Sequence, residues 1–266
     1  MQRPPLDIEQ LRRDLTTVPE LGFFTGIDVV PSTGSTNADL IARAADPAVD
    51  RVVLIAETQE RGRGRHSRSW FSPPHAQIAM SILVRLPRIE PVALGWLPLL
   101  TGVAAVDALR ATAGVPATLK WPNDVLIEGR KVAGILAEVA ASGAAPAVVV
   151  GIGVNVSLTE AELPVPHATS LTLAGATVDD RTVLVTSLLT GFARRFTSWS
   201  AAGWTVDELA AAYRAYCSTL GSRVRAALPG GRALTGTARD IDSSGRLLID
   251  GEPVSAADVT HLRPED

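Results

Sequence analysis

Hydrophobic positions along this 266-residue chain change period several times, and each change marks an expected element. From Asp7 to Leu15, the residues Ile8, Leu11 and Leu15 fall on one side at helical spacing. Ile27 to Val30 reads as a short strand entering Ser32-Thr33-Gly34-Ser35-Thr36-Asn37, where Ser35 or Thr36 can cap a helix over about Ala38 to Ala45. The β-branched run inside Arg51 to Glu57 predicts a buried strand, and Ile78 to Arg85 predicts another. A long, mainly apolar helix is expected over Val92 to Ala113. Leu119 to Trp121 predicts a short strand broken at Pro122. Val125 to Ile127 and Lys131 to Val139, joined by Glu128-Gly129-Arg130, predict a hairpin. Ala147 to Val156 reads as a buried strand in spite of Gly151 and Gly153. Helices over Arg181 to Trp199 and Val206 to Cys217 complete this part.

After Gly221 the texture changes. Short β-type runs alternate with Pro229-Gly230-Gly231, Asp242-Ser243-Ser244-Gly245 and Gly251-Glu252-Pro253. Strands of about five residues at such spacing predict a small antiparallel barrel. The expected organisation is one domain over residues 1–219, with residues 1–18 as an N-terminal helical arm, and a second over residues 220–266. Fewer than 35 residues precede the Ser35 motif, too few for a helix-turn-helix domain ahead of the main body.

Composition narrows the function classes. Hydrophobic residues make up 46 % and charged residues 20 %, a globular balance with length enough for a large core. A net charge of −3 gives the body of the protein no footprint for nucleic acid. Cys217 stands alone, so no intrachain disulfide forms; it reads as a packing residue in a reducing compartment. His66, His75, His167 and His261 lack metal-ligand spacing. No signal pattern opens the chain, and Pro91 to Val106 is expected to be too short for a membrane span. A cytoplasmic protein without a membrane partner is expected. Asn155-Val156-Ser157 then matches the glycosylation pattern by accident.

Against that acidic background, Arg61-Gly62-Arg63-Gly64-Arg65-His66-Ser67-Arg68-Ser69-Trp70 holds four guanidinium groups within eight residues. Self-repulsion makes it a poor core element, and its planar donor forks match phosphate or carboxylate oxygens. It reads as a loop between two core strands that orders around a small polyanion, with a solvated basic loop as the bland alternative. Gly62-x-Gly64 and Gly151-x-Gly153 lack the third glycine of a dinucleotide fingerprint, and no Walker loop occurs.

Ser35-Thr36-Asn37, the Gly62 to Trp70 loop, Lys120-Trp121-Pro122-Asn123-Asp124, Lys131-Val132-Ala133-Gly134-Ile135-Leu136 and Gly151-Ile152-Gly153-Val154-Asn155 occur in succession. Each is weak alone, but this order over nearly the whole chain resembles the biotin–protein ligases, in the non-repressor form without an N-terminal DNA-binding domain. The resemblance implies an α/β (α+β) fold: a class II aminoacyl-tRNA synthetase-like catalytic domain, its mixed sheet flanked by helices, plus an SH3-like C-terminal β-barrel. It implies ATP and biotin as substrates with Mg²⁺ carried by the nucleotide phosphates. The implied partner is the biotin carboxyl-carrier domain of acyl-CoA or pyruvate carboxylases, with no nucleic acid, and a monomer or weak dimer.

A carboxylate is a poor electrophile, so the family first makes biotinyl-5′-adenylate and then passes the acyl group to a lysine. By motif position, Ser35, Thr36, Asn37, Gln59, Gly62, Arg63 and Gly134 are expected around biotin. Lys131 is expected to bridge the biotin carboxylate and the α-phosphate as the essential catalytic residue, with Arg65 beside it. Arg65, Arg68, Trp70, Asn123, Ile135 and Asn155 are expected around ATP, with Trp70 covering the adenine. Asp124 is expected near the acceptor lysine or a metal; its bland reading is a turn residue after Pro122. Ser67 replaces the third glycine usual in the family loop, which costs order or affinity if that position needs positive φ or close approach; His66 occupies a variable site. The loop is expected to be disordered without ligand and ordered by biotin and ATP. A lipoate or octanoate–protein ligase is the nearest alternative, and a non-catalytic RNA- or protein-binding module a more distant one.

Overall fold

The computed structural model describes residues 3–65, 68–228, 231–255 and 258–261. Helix α1 (Ile8–Thr17) begins where Asp7 accepts a hydrogen bond from the Gln10 N–H. Strand β1 (Gly26–Val30) leads into α2 (Thr36–Arg43). This helix starts ahead of the expected Ala38 because Ser35 is itself the cap, accepting from the Ala38 N–H at 3.5 Å. Strands β2 (Val52–Ala56), β3 (Gln59–Arg63), β4 (Ser69–Ser72) and β5 (Gln77–Arg85) follow.

The arginine segment, expected as an irregular loop, is a β3–β4 ribbon along both flanks, with Gly62 opposite Trp70 and Arg63 opposite Ser69. Gly62 allows that pairing: a Cβ there would stand 2.5 Å from the Trp70 carbonyl oxygen. We call this ribbon the flap. His66 and Ser67, which come between the two strands in sequence, lie outside the described residues.

The apolar run expected as one helix divides into a 3₁₀ turn (Pro91–Gly95), helix α3 (Trp96–Ala108) and a π turn (Leu109–Ala113) closed by left-handed Gly114. By length and composition Pro91–Ala113, which extends past the Pro91 to Val106 run expected to be too short, could cross a bilayer. Yet 72 % of its apolar window is buried inside the protein, so this is a core helix whose apolar faces are already covered. Next come β6 (Ala117–Lys120), β7 (Asp124–Ile127), β8 (Arg130–Ala141) and β9 (Ala147–Asn155). Helices α4 (Arg181–Ala201) and α5 (Asp207–Tyr216) close this part. Helix α4 packs tightly on α3 because Gly191 carries no Cβ; one there would meet the Ala104 carbonyl oxygen at 3.1 Å.

Seven strands form one sheet in the order β1-β2-β5-β9-β8-β7-β6. Only β1 and β2 pair in parallel, which makes the sheet mixed. Alternation along the strands divides the core between its faces. Val53, Ile55, Met80, Ile82 and Ile152 join the large cluster with α3 and α4, whereas Leu54, Leu83 and Val149 meet Leu40 of α2 on the other side. Each such fully buried side chain stabilises the fold by about 1.5–3 kcal/mol.

The remaining strands are β10 (Arg223–Ala227), β11 (Ala233–Ile241), β12 (Leu247–Ile249), β13 (Glu252–Val254) and β14 (Asp258–His261). They form an antiparallel sheet ordered β13-β12-β11-β10-β14, with a bulge in β11 between Ala238 and Asp240. The architecture is therefore a mixed α/β body carrying a small antiparallel β unit. Indole N–H groups join the two: Trp96 Nε1 donates to the Ser243 carbonyl at 2.8 Å, and Trp121 Nε1 to the Gly245 carbonyl at 3.0 Å.

Candidate active site

A cavity of about 440 Å³ opens over strands β8 and β9. The first turn of α2, the flap, the Lys120–Asp124 turn, the 164–168 segment and β14 close around it. One end is polar and uncharged in its depth. Ser35, Thr36 and Asn37 are all buried there, because the cap geometry of α2 turns them inward. Gln59 Oε1 accepts from both the backbone N–H and the hydroxyl of Thr36, at 2.9 and 3.1 Å. Ser81, fully buried in the middle of β5, donates to Asn37 Oδ1 at 2.6 Å or Thr36 Oγ1 at 2.7 Å. Asn37 Nδ2 donates to the Leu136 carbonyl at 3.1 Å and to Glu138 Oε2 at 2.8 Å. Both amide hydrogens of Asn37 are thus engaged within the protein.

The other end is cationic. Arg65, Arg68, Lys120 and Lys131 line it among the described residues, against the single carboxylate of Asp124, while Arg63 lies toward the neutral end beside Glu138. Lys131 Nζ lies 2.6 Å from Asp124 Oδ1, and the two are only about a quarter exposed. Strand pairing brings them together, since β7 and β8 set Asp124 opposite Gly134. Asn123 bonds along the same edge: its amide donates to the Ile135 carbonyl at 2.8 Å and accepts from Arg65 Nη1 at 3.2 Å. The Lys131 backbone is clamped to the opposite wall, with its N–H on the His167 carbonyl and its carbonyl on the Thr169 N–H, both at 2.8 Å.

Trp70 lies flat across the sheet inside the cavity. Gly134 and Gly153 are register partners on β8 and β9. A Cβ on Gly153 would fall 2.5 Å from Trp70 Cε2, and one on Gly134 3.0 Å from Cζ3. The glycine pair is therefore a platform for a planar ring, and the indole rests on it with Lys131 Nζ 5.6 Å from the ring centroid. Trp70 Nε1 donates to Gln77 Oε1 at 3.2 Å, Gln77 Nε2 to Asn155 Oδ1 at 2.8 Å, and Asn155 Nδ2 to the Thr169 carbonyl at 2.9 Å. The polarity of this chain is forced, because an indole can only donate.

Fourteen of the fifteen residues expected at the site face this one cavity; Gly62 sits behind it, against the backbone of Trp70. Sequence reasoning missed Ser81, Gln77, Glu138, the 164–168 wall, and Val259 and Thr260 of β14. For Ser81 and Gln77 the signal was a polar residue within an otherwise apolar strand. No group of three or more His, Cys, Asp or Glu side chains comes together among the described residues. Burial pushes the Cys217 thiol up, as suits a packing residue.

Two family models match the chain. The biotin/lipoate A/B protein ligase family covers residues 28–155, and the biotin protein ligase C-terminal domain covers residues 219–262. The biotin–[acetyl-CoA-carboxylase] ligase of Mycobacterium tuberculosis is 48 % identical over 98 % of this chain and 97 % of its own length. The bifunctional ligase/repressor BirA of Bacillus spizizenii is 35 % identical over 84 % of this chain and 68 % of its own. Among solved structures, the Aquifex aeolicus biotin protein ligase in complex with biotin and ATP superposes with a TM-score of 0.74 at 27 % identity, covering 90 % of this chain and all of that one.

Proposed function

The chain belongs to the biotin protein ligase family, and from that premise we propose how its cavity joins biotin to a protein lysine. The enzyme is an ATP-dependent ligase that activates biotin and transfers it to a protein. In the first step a biotin carboxylate oxygen attacks the α-phosphorus of ATP, giving biotinyl-5′-AMP as pyrophosphate leaves. In the second, a lysine amine attacks the acyl carbon, AMP departs and the nitrogen loses a proton. The observation that carries this reading is the division of one cavity into a neutral polar end and a cationic end, with Lys131 between them.

The neutral end suits a ureido ring, whose carbonyl needs donors and whose N–H groups need acceptors. Ser35, Thr36 and Asn37 on a rigid helix turn, with Gln59 at the start of β3, offer both kinds. Gly62 and Arg63 end the first strand of the flap on that side, and Gly134 leaves room along the sheet. Two anions must then meet at Lys131, where its ammonium with Arg65 and Arg68 offsets their repulsion as charge builds on the leaving pyrophosphate. An ammonium held against Asp124 is directed at a fixed point and is not left to swing. Asn123, Ile135 and Asn155 face the nucleotide, and an adenine on the Gly134–Gly153 platform displaces the Trp70 indole outward to become its cover.

The carboxylate beside Lys131 is the only one lining the cavity among the described residues, which does not suit a protein-held metal but suits Mg²⁺ borne by phosphates. There the ion would neutralise phosphate charge. Asp124 also faces the acceptor. An unperturbed lysine has a pKa of about 10.4 and must lose its proton to attack. The acceptor is the biotin carrier domain of a carboxylase, in the cytoplasm, with the small β unit from about Leu220 onward serving as an SH3-like module beside the cavity mouth.

Replacing Lys131 by Ala tests the reading. The variant is expected to keep its fold while losing at least about a hundredfold in pyrophosphate release. Wild-type rates in both steps would reject this role. Running the same assay with biotin, lipoate and octanoate distinguishes biotin specificity from the neighbouring lipoate chemistry. Trypsin cleavage between Arg61 and Arg68 is expected to slow when biotin and ATP are both present.

A further inference from the structure

Glu138 stands on β8 beyond Leu136, where the neutral end of the cavity meets the flap. Its Oε2 accepts from Arg63 Nη2 at 2.9 Å and from Asn37 Nδ2 at 2.8 Å. These donors belong to separate parts of the site. Asn37 is buried in the first turn of α2, and Arg63 ends the first strand of the flap. The amide of Asn37 is fixed on three sides, by Leu136, Ser81 and Glu138, so it holds the carboxylate as firmly as the carboxylate holds it. Arg63 is different, since its side chain is 42 % exposed and sits on a two-stranded ribbon. A ribbon of that size is marginal alone and depends on what it is docked against.

We infer that Glu138 is a positioning residue which latches the flap over the biotin end of the cavity through Arg63. The inference rests on the ligase reading above. Glu138 is itself 27 % exposed, so water screens the pair and its contribution to global stability is small. Opening of the ribbon must also break the Arg65–Asn123 and Trp70–Gln77 hydrogen bonds, and the charge-assisted bond at the end of its first strand adds to what holds it closed and so changes how often it opens. Biotin and Arg63 thus communicate through one oxygen atom. Ligand that steadies Asn37 steadies the anchor, and a closed flap blocks the route by which ligand leaves.

Glu138→Gln isolates the charge, because the amide oxygen still accepts from Asn37 while the ion pair with Arg63 is lost. The experiment measures dissociation of biotin from the full-length protein, by chase with excess unlabelled biotin, in wild type, Glu138→Gln, Arg63→Met and the double variant. Expected is a roughly fivefold faster release in Glu138→Gln, the size of a partly exposed ion pair, with the melting temperature unchanged. The KM for biotin rises by a similar factor while kcat at saturating biotin falls less than about twofold. In the Arg63→Met background the Glu138 change has no further effect. A release rate equal to wild type overturns the latch, as does an equal effect in both backgrounds, which assigns Glu138 to Asn37 alone. If wild type binds no biotin, the ligase reading falls and the latch with it.

Discussion

A missing methyl group at residue 151 lets the first turn of α2 reach the sheet. A Cβ on Gly151 would collide with Asn37 Oδ1, and Asn37 in turn joins α2, β5 and β8. Gly151→Ala is therefore expected to push this amide off its partners and leave buried polar groups unpaired, at about 1–3 kcal/mol each. Biotin affinity measured by calorimetry falls at least about tenfold, and an affinity equal to wild type would contradict the arrangement. Trp70 makes a second test, because nucleotide binding alters its surroundings more than those of buried Trp96 or Trp121. Tryptophan emission is expected to change on adding ATP, and that change disappears in Trp70→Phe. The sequence showed which residue types gather at the site, through five motifs in order. It did not show Glu138 or Ser81, since their partners lie dozens of positions away and only the sheet register brings them together.

The flap and the wall facing it differ in how they are held. Periodicity located the long strands well, because alternating burial is a local property of β structure. It missed the flap ribbon, whose glycines and arginines have low β-propensity and pair only because Gly62 permits close approach. It also missed the change of winding around α3, which leaves apolar spacing almost intact. The wall rests on the N-terminal arm: Arg3 donates to both oxygens of Glu162 and to the Ser157 carbonyl. Glu162 also caps its own turn through Thr159. The Arg3 guanidinium, with the Thr159 N–H, lowers the Glu162 carboxyl from 4.5 to about 2. A carboxylate with a lowered value in the folded state holds its partners fully above pH 4.5 and loses them as pH falls toward 2. Hydrogen-exchange protection over residues 159–168, taken relative to the intrinsic amide rate at each pH, is expected to fall across that window in wild type. Glu162→Gln, already lacking the pair, shows a flatter profile over the same range.

Turn spacing after Gly221 announced a second β unit, and the sheet found there is antiparallel as that spacing implied. How it meets the body was not legible, because the joining groups, two indoles on backbone carbonyls and Arg214 on Asp240, are scattered over the chain. Gly95 is part of this seam: a Cβ there would lie 2.7 Å from the Ser244 carbonyl oxygen. Gly95→Ala is expected to part the units slightly, costing about 1–3 kcal/mol and lowering the melting temperature by a few degrees. Biotin binding survives, since its contacts lie at the far end. The strand β14 matters more widely, because Val259 and Thr260 finish the wall of the cavity. A doorway framed by two independently built panels fails when the flimsier one warps. On gradual warming, transfer activity is accordingly expected to fade at temperatures where far-ultraviolet dichroism still reports an intact seven-stranded sheet.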